Sequence, residues 1–332
     1  MSVFPTQYSI LQSAALNEHI AENYGLSDTK CKLLIHNVSD IYVLESTTEK
    51  YIFKIYRDMH RSLDQILGEL EILNELKKAG ASISYPLTDL SGKQVQQFEA
   101  AEGIRNGVLF SYAAGKVILD MNTKQLKTAG REIALIHQHT STIKLNHFRP
   151  EYNNYTTLIG PLTTLAPHFK EMPDEFAWLT ATAEKVIAKL SSFDTSSFSV
   201  GYCHYDFLPK NFHFDEADKV TFFDFDFAGK GYLVNDLMTL FVHFFLDSEF
   251  KRCSPEKAKQ DFNTIVEAYR EVKHLSDEEL AAIPYLGFQF WIFYMEFHYQ
   301  NFDDWSNIFL TQKYTKDRVA LIKRWMERYA IN

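Results

Sequence analysis

The chain has 332 residues, of which 46% are hydrophobic and 23% charged, and its formal net charge is −9. This length exceeds the usual size of one hydrophobic core, so we expect two domains, and the 27 phenylalanines and 18 tyrosines can fill large cores. The composition excludes a disordered chain, and the acidic balance argues against a nucleic-acid partner.

The cysteines and the apolar segments indicate the cellular compartment of the protein. Cys31, Cys203 and Cys253 lie far apart and form no C-x-x-C pair, which argues against a disulfide framework or a zinc knuckle. Residues 1–5 lack the basic and apolar regions of a signal peptide. The longest apolar run, 237–246, is too short to span a bilayer. We therefore expect a cytoplasmic protein with no membrane partner.

The first third of the chain is rich in predicted strands. Its predicted elements are a helix over 9–24, strands over 41–45 and 51–56 joined as a hairpin, a helix over 63–78, and strands over 84–87, 95–98 and 108–112. Gly25 and Gly80 follow the two helices as C-terminal stop signals.

Helices dominate from about residue 120 onward. The first covers 123–139, and short strands on either side of 215–219 interrupt the helical pattern. This order predicts an α+β protein made of a β-rich N-terminal lobe with one main helix, 1–112, and a mainly helical C-terminal lobe, 113–332.

The most informative segment is the run from His204 to Asn211. It places Asp206 and Asn211 five residues apart in a loop that Pro209 constrains, and such a loop can direct both side chains at one point. Asp206 is the candidate catalytic base, and His204 is the residue that fixes the catalytic loop, since no second His or Cys lies at metal-ligand spacing. The alternative is an ordinary surface turn.

A second acidic motif, Asp224-Phe225-Asp226, follows shortly after this loop. Both carboxylates share one face if the segment is extended, and with the amide oxygen of Asn211 they form a set of hard oxygen ligands suited to Mg²⁺. The alternative is a strand edge with solvated acids. The flanking aromatics favour burial, and buried carboxylates require a cation.

Lys54 lies within an apolar strand and needs an anionic partner. Glu69 falls on the apolar face of the predicted helix over 63–78, so the two residues are candidates for an ion pair that positions nucleotide phosphates. The alternative is a lysine whose ammonium group reaches solvent and an unrelated helix acid.

Together these motifs resemble the aminoglycoside phosphotransferase/choline kinase-like family, which shares the bilobal protein-kinase fold. The matching segments are 51–54, 69–76, 130–137, 204–211, 223–226 and 231–237. They span most of the chain and leave its far C-terminus uncovered.

The resemblance implies that the N-terminal lobe binds ATP. Lys54 would hold the α- and β-phosphates and pair with Glu69. The segment containing Phe110 and Tyr112 would be the hinge that receives adenine through backbone groups.

The resemblance also implies transfer of the γ-phosphoryl group to a hydroxyl. Asp206 would engage the acceptor hydroxyl, Asn211 and Asp224 would hold Mg²⁺ with Asp226 as an auxiliary ligand, and Asp236 would support the catalytic loop from below.

Two departures from protein kinases favour a small-molecule acceptor, and two further departures concern other parts of the site. Leu208 stands where a protein kinase has a lysine, and 231–236 follows Asp224 too soon for a long activation loop. The segment 36–40, expected over the phosphates, has no glycine, and Tyr205 replaces a glycine common in the family.

We expect the acceptor pocket in the helical lobe, near Asp206 and the aromatic segment from Phe288 to Trp305. Tyr294, Glu296, His298 and Tyr299 can contact a cationic acceptor there, because aromatic faces and carboxylates suit ammonium groups. The alternative for each of these residues is packing within a helix core.

Two further functions stay open at this point. One is a bacterial Ser/Thr protein kinase of the same fold, and the other is a nucleotide-binding pseudokinase module. Retention of Lys54, Asp206, Asn211 and Asp224 argues against the second. The sequence leaves open the identity of the acceptor, the choice between ATP and GTP, and the oligomeric state.

Overall fold

The computed structural model describes residue 4 and the ranges 6–57, 59–302, 309 and 311–330. The helices are α1 Ser13–Tyr24, α2 Leu63–Lys78, α3 Thr123–Thr140, α4 Gly160–Leu165, α5 Pro173–Leu190, α6 Val234–Glu249, α7 Pro255–Arg270, α8 Asp277–Asn301 and α9 Gln312–Tyr329. The strands are β1 Lys30–His36, β2 Ser39–Glu45, β3 Lys50–Tyr56, β4 Val95–Ala100, β5 Gly103–Ser111, β6 Val200–Cys203, β7 Phe212–Phe214, β8 Val220–Phe222 and β9 Gly229–Tyr232.

The first compact unit comprises the described residues of Met1–Ala114 together with Leu145–Phe148 and Thr221–Phe223. Its antiparallel sheet has the strand order β1-β2-β3-β5-β4. The predicted hairpin is confirmed, because β2 pairs with β3 from Ser39↔Tyr56 to Glu45↔Lys50. A hydrophobic core of α1 and sheet residues covers one face; its fully buried members include Ile20, Tyr42, Leu44, Phe53, Ile55 and Leu109.

Helix α2 has the predicted bounds, and local chemistry explains where it begins. The Ser62 hydroxyl accepts from the Gln65 backbone N–H, and the Gln65 side chain accepts from the Ser62 N–H. This capping box satisfies two backbone donors that the first turn of a helix leaves free. The apolar face of the helix is buried and includes Glu69 among its residues.

Two strand predictions in this unit differ from the structure. Strand β1 was not predicted, because its pattern of exposed and half-buried residues gives little apolar alternation. The predicted strand over 84–87 is wrong, since this segment forms the isolated bridge Pro86↔Phe110 and is otherwise a loop. There Ser84 donates its hydroxyl to the Ser111 carbonyl at 2.6 Å, which ties the loop to the end of the sheet.

The second compact unit comprises Gly115–Lys144, Arg149–Val220 and the described residues of Asp224–Asn332. It is mainly helical and contains two small sheets, β6-β9 and β7-β8. Helix α3 starts with a capping box between Asn122 and Gln125. It packs very closely on α7, since a Cβ atom at Gly130 would lie 2.4 Å from the Ile265 carbonyl oxygen.

The α+β class, with a β-rich first unit and a helical second unit, is confirmed. The first unit also takes in short segments from later in the chain, whereas the predicted domains were the continuous ranges 1–112 and 113–332. Within the described ranges, none of the helices combines the length and the apolar character that crossing a membrane requires.

Candidate active site

The catalytic loop follows strand β6 and ends in a short 3₁₀-helix, Pro209–Asn211. Asp206 is only 2% exposed. Its Oδ2 atom accepts from the Asn211 amide at 2.8 Å and lies 3.1 Å from the Lys210 ammonium nitrogen. Its Oδ1 atom is buried as well, and the Tyr294 phenol has a side-chain hydrogen bond with the carboxylate. Asn211 and Lys210 therefore anchor one oxygen of this buried carboxylate.

Asp236, at the start of α6, holds the catalytic loop by binding backbone groups of that loop. Its carboxylate accepts from the N–H groups of His204 and Tyr205 at 2.8 and 2.7 Å. It also lies 2.8 Å from His137 Nε2, and His137 Nδ1 lies 2.9 Å from the Tyr269 hydroxyl. Both Asp236 and His137 are fully buried. A buried carboxylate with this many donors fixes the loop rigidly.

His204 contributes to the shape of the loop. Its Nδ1 atom accepts from the Asp206 backbone N–H at 3.2 Å, and its ring stacks on Phe207 with centroids 4.3 Å apart. The side chain is 2% exposed. These contacts suit the predicted role of His204 as the residue that fixes the loop.

Tyr205 has a left-handed backbone conformation, with φ of 63°. Such a conformation favours glycine, and for a residue with a side chain it costs about 1 kcal/mol. The tyrosine ring is buried and stacks on Tyr152, with centroids 3.6 Å apart and planes within 8°. Stacking and burial offset the backbone cost and explain how this chain accommodates a tyrosine at this position.

The acidic motif at 224–226 differs from its predicted geometry. Asp224 has φ of 62° and ψ of 62°, and Phe225–Phe227 forms a 3₁₀-helix. The expectation that both carboxylates share one face of an extended strand is therefore wrong. Burial of the two residues also differs, since Asp224 is exposed and Asp226 is buried.

Arg149 stabilises this turn and was not predicted. Its buried guanidinium donates to the carbonyls of Ala228 and Asp226, each at 2.6 Å. Because Arg149 binds backbone carbonyls far along the chain, no local pattern of residues could have indicated its role.

The residues predicted to hold Mg²⁺ supply two carboxylates and one amide. The described part of the chain contains no group of three or more His, Cys, Asp or Glu residues placed to hold a metal ion. Asn211, Asp224 and Asp226 nevertheless fit the ligand set of a magnesium ion that keeps several waters and is shared with substrate phosphates. They do not fit a cage that binds a metal without the nucleotide.

Lys210 is a residue that the sequence analysis missed. Its side chain is 59% exposed, so the ammonium group can reach a ligand while it lies beside Asp206. Partial desolvation works against its charge, but the Asp206 carboxylate and then Asp224 outweigh it and raise the pKa of Lys210. Lysine directly before Asn211 was a visible signal, since it places a cation within the catalytic loop.

Helix α8 brings Tyr294 close to Asp206. Burial, followed by the charge of the Asp206 carboxylate, raises the pKa of the Tyr294 phenol well above its ordinary value. A side-chain hydrogen bond between the hydroxyl and the Asp206 carboxylate contributes to the same shift. Tyr294 is therefore a neutral hydrogen-bond donor beside the candidate base.

The other predicted acceptor residues lie in less suitable surroundings for a cation. Burial, with the positive charges of Arg318 and Lys210, lowers the pKa of His298 to about 3, so this ring is neutral near pH 7. Burial raises the pKa of Glu296. The Tyr299 ring packs against His168, with centroids 5.6 Å apart. Trp305, the end of the predicted acceptor segment, lies outside the described residues.

In the first unit, Lys54 and Glu69 are both buried, at 6% and 1% exposure. The Tyr56 hydroxyl donates to Glu69 at 3.2 Å, and the Lys54 ammonium lies 4.7 Å from the centre of the Tyr56 ring. Tyr56 thus joins both residues in one polar cluster on the sheet. The sequence analysis missed Tyr56, although it lies two residues after Lys54 and so on the same face of the strand.

The two predicted hinge residues lie at the end of β5. Phe110 pairs with Ile52 of β3 and is buried, whereas Tyr112 follows the strand and is 38% exposed. Between them, the Ser111 N–H donates to the Tyr85 carbonyl at 2.9 Å.

A cavity of about 320 Å³ lies behind the catalytic loop in the second unit. Its walls include Tyr152, Tyr205, Asn235 and Gln289, and Asp206 is not among its lining residues. The Asp206 carboxylate therefore does not line this cavity.

The arrangement of a buried base, a loop Asn and an acidic turn defines a phosphotransferase with the protein-kinase-like fold. Residues 31–273 match the model of the phosphotransferase enzyme family, so the chain belongs to this family and is an enzyme. The resemblance to aminoglycoside phosphotransferases and choline kinases drawn from the motifs is confirmed.

Relatives and solved structures agree with this assignment. The chain is 28% identical to an amicoumacin kinase of Bacillus subtilis, covering 66% of this chain and 65% of the relative. It is 27% identical to the serine/threonine protein kinase RdoA of Salmonella typhimurium, over 74% of this chain and 70% of the relative. An amicoumacin kinase in complex with AMP-PNP, Ca²⁺ and Ami has the same fold, with a TM-score of 0.73, 19% identity, and coverage of 96% and 94% of the two chains.

Proposed function

We propose that the protein transfers the γ-phosphoryl group of ATP, with Mg²⁺, to a hydroxyl of a small molecule such as an amino alcohol, an amino acid, a sugar or an aminoglycoside-like compound. The observation that carries this proposal is the Asp206 carboxylate, which is buried in the catalytic loop and anchored through Oδ2 by Asn211 and Lys210.

In this mechanism, Asp206 Oδ1 accepts the proton of the acceptor hydroxyl as its oxygen attacks the γ-phosphorus. Asn211 keeps the carboxylate oriented through its hydrogen bond to Oδ2. Lys210, beside the same oxygen, offsets negative charge near the transferred group.

Asp224, Asn211 and Asp226 would hold the magnesium ion, which when bound with ATP neutralises charge on the phosphates. In the first unit, Lys54 with Glu69 and Tyr56 would bind the α- and β-phosphates. The backbone near Phe110 and Tyr112 would receive the adenine ring.

The test is consumption of ATP in the presence of panels of amino alcohols, sugars, amino acids and aminoglycosides. We expect one class to stimulate Mg²⁺-dependent ADP formation with stoichiometric phosphorylated product. The Asp206→Asn variant should show no stimulation. Binding of Mg-ATP without stimulation by any panel member would instead support a nucleotide-binding module without transfer activity.

A second candidate is a protein kinase, favoured by the similarity to the Salmonella serine/threonine kinase. It predicts transfer of ³²P from ATP to serine or threonine of this chain or of another protein. Incorporation into protein that depends on Asp206, with no small-molecule product, would favour this candidate.

A further inference from the structure

The cavity behind the catalytic loop has no part in the proposed transfer reaction. In that reaction the acceptor hydroxyl must reach Asp206, and Asp206 is not among the residues that line the cavity. The cavity volume of about 320 Å³ equals that of about ten water molecules and falls within the range of small-molecule sites. The cavity is therefore a candidate site for a second ligand.

The side chains of the lining favour a ligand with several hydroxyl groups. Side chains with an amide or a hydroxyl group outnumber the charged and aliphatic ones. They include Asn153, Asn154, Thr157, Ser191, Thr195 and Gln289. Amides and alcohols both donate and accept hydrogen bonds, as the hydroxyls of a polyol or a sugar do. The hydrogen-bonding groups of such a ligand thus match those of the cavity wall.

The charges of the lining do not call for a charged ligand. Its acidic and basic side chains, Glu151 and Lys230, have their charged atoms 3.8 Å apart and are 61% and 53% exposed. Opposite charges at this distance largely cancel each other, and water screens what remains. A neutral ligand therefore fits the cavity better than an anion or a cation.

Gln289, on α8, supplies a buried hydrogen-bonding group to the cavity. It is 5% exposed and donates from Nε2 to Asn154 Oδ1 at 2.6 Å, which fixes the orientation of its amide. A carboxamide has two N–H donors and a carbonyl acceptor. The described residues give this side chain no second hydrogen bond, so one N–H and the carbonyl oxygen are available to a ligand hydroxyl.

The cavity wall also includes the residues that directly precede the two main carboxylates of the catalytic loop. Tyr205 precedes Asp206, Asn235 precedes Asp236, and both Tyr205 and Asn235 line the cavity. The Tyr205 N–H donates to Asp236 at 2.7 Å. An occupant of the cavity therefore contacts the neighbours of the candidate base and of the carboxylate that holds its loop.

We propose that this cavity is an effector site for a small neutral polyhydroxy molecule, of the size of a polyol or a monosaccharide. Contact with Tyr205 and Asn235 stabilises the catalytic loop in its observed conformation, so the bound effector raises turnover at Asp206 and is not itself phosphorylated. The binding site stands without the proposed phosphotransferase function, whereas its effect on turnover rests on that function.

Binding is tested on the full chain by isothermal titration calorimetry. The neutral probes are myo-inositol, D-glucose and glycerol, and the charged probes are L-glutamate and L-lysine. We expect at least one neutral probe to bind with a Kd of about 1 mM or below, and the charged probes not to bind. Ser191→Trp, which fills the cavity, should weaken that binding by about tenfold or more. Ser192→Trp is the matched control, because this exposed serine is the next residue and does not line the cavity.

Gln289→Leu is a second variant that removes hydrogen bonds without filling the cavity. It should weaken the same binding by about fivefold or more. Absence of binding by every neutral probe, or tighter binding of a charged probe, would overturn the assignment. Unchanged binding in both Ser191→Trp and Gln289→Leu would place the probe elsewhere and would also overturn it.

The effect on turnover is measured with an acceptor from the screening panel, in the absence and presence of the bound probe. The probe should raise kcat by about fivefold in the wild type and in Ser192→Trp, and should have no effect in Ser191→Trp. A phosphorylated probe, or competition between probe and acceptor, would show that the cavity is the acceptor site and would overturn the effector role. Binding that Ser191→Trp abolishes, in a protein without any transfer activity, would support the site and overturn the proposed function alone.

Discussion

Asp206 and Asp224, the two acidic residues central to the proposed chemistry, are held in opposite ways. Asp206 is buried in a loop whose backbone N–H groups are bound by a second buried carboxylate, Asp236. Asp224 is exposed on a turn with left-handed backbone geometry. A base must be fixed relative to a reacting hydroxyl, whereas a metal ligand can be ordered by the cation it binds. The difference therefore suits the separate roles that we propose for them.

The largest effect is expected from removing the charge of the base. Asp206→Asn should lower phosphoryl transfer by about 10³-fold or more, because general-base catalysis is lost, while Mg-ATP binding stays near wild type. Steady-state kinetics and isothermal titration calorimetry measure the two quantities. Turnover near the wild-type rate with the true acceptor would show that Asp206 is not the base.

The rigid support of the loop predicts a large effect on stability. Asp236→Ala should lower the free energy of unfolding by about 3–5 kcal/mol, because two backbone N–H groups and His137 lose a buried partner. Urea denaturation measures this change. Asp277→Ala is the control, since this acid is 93% exposed and its loss should cost less than about 1 kcal/mol. Equal effects in the two variants would contradict the comparison.

For Asp224, on its exposed turn, we expect a large effect on ligand binding and a small effect on stability. Asp224→Asn should weaken Mg-ATP binding by about tenfold or more, since the metal loses an anionic ligand. Its stability should change by less than about 0.5 kcal/mol, because the site is exposed and asparagine tolerates a left-handed backbone. Calorimetric titration and urea denaturation on the same variant test both parts. Unchanged Mg-ATP affinity would exclude Asp224 as the metal ligand.

The smallest effect concerns pH. Burial, Arg318 and Lys210 keep His298 neutral in the folded state down to about pH 3, whereas in the unfolded chain it takes up a proton below its ordinary pKa of 6.5. Stability contributed by this residue is thus complete above pH 6.5 and falls as the pH decreases towards 3.

Between pH 7 and pH 5, the wild type should therefore lose about 1 kcal/mol more than His298→Gln, a value reduced from the full linkage because the ring is partly exposed. Urea unfolding of both proteins at the two pH values measures the difference. Parallel losses in both would show that His298 titrates normally in the folded state.

The local elements and the motifs could be predicted from the sequence, but the contacts between distant segments could not. Helix α2 carries its own capping box, so its bounds follow from neighbouring residues. The left-handed turn at Asp224 is instead held by Arg149, which donates to carbonyls beyond the turn. The flanking phenylalanines therefore resembled a strand.

The same limit applies to the candidate site. Asp206 and Asn211 lie close in sequence, so a loop between them was enough to predict that their side chains are in contact. Tyr294 lies near Asp206 only because α8 packs behind the catalytic loop. The spacing of residues in the sequence gives no indication of that packing. The sequence analysis also missed His137, although a histidine on the buried face of α3 was a signal for a buried hydrogen-bonding role.

The stacking of Tyr205 on Tyr152 predicts how these two positions vary together among relatives. Tyr205 tolerates its left-handed backbone because its ring rests on Tyr152, whose own hydroxyl donates to the Phe227 carbonyl. A glycine at position 205 would relieve the backbone but leave one face of Tyr152 without its partner. The two positions are thus expected to change together, with aromatic pairs in some relatives and glycine beside a differently filled position 152 in others.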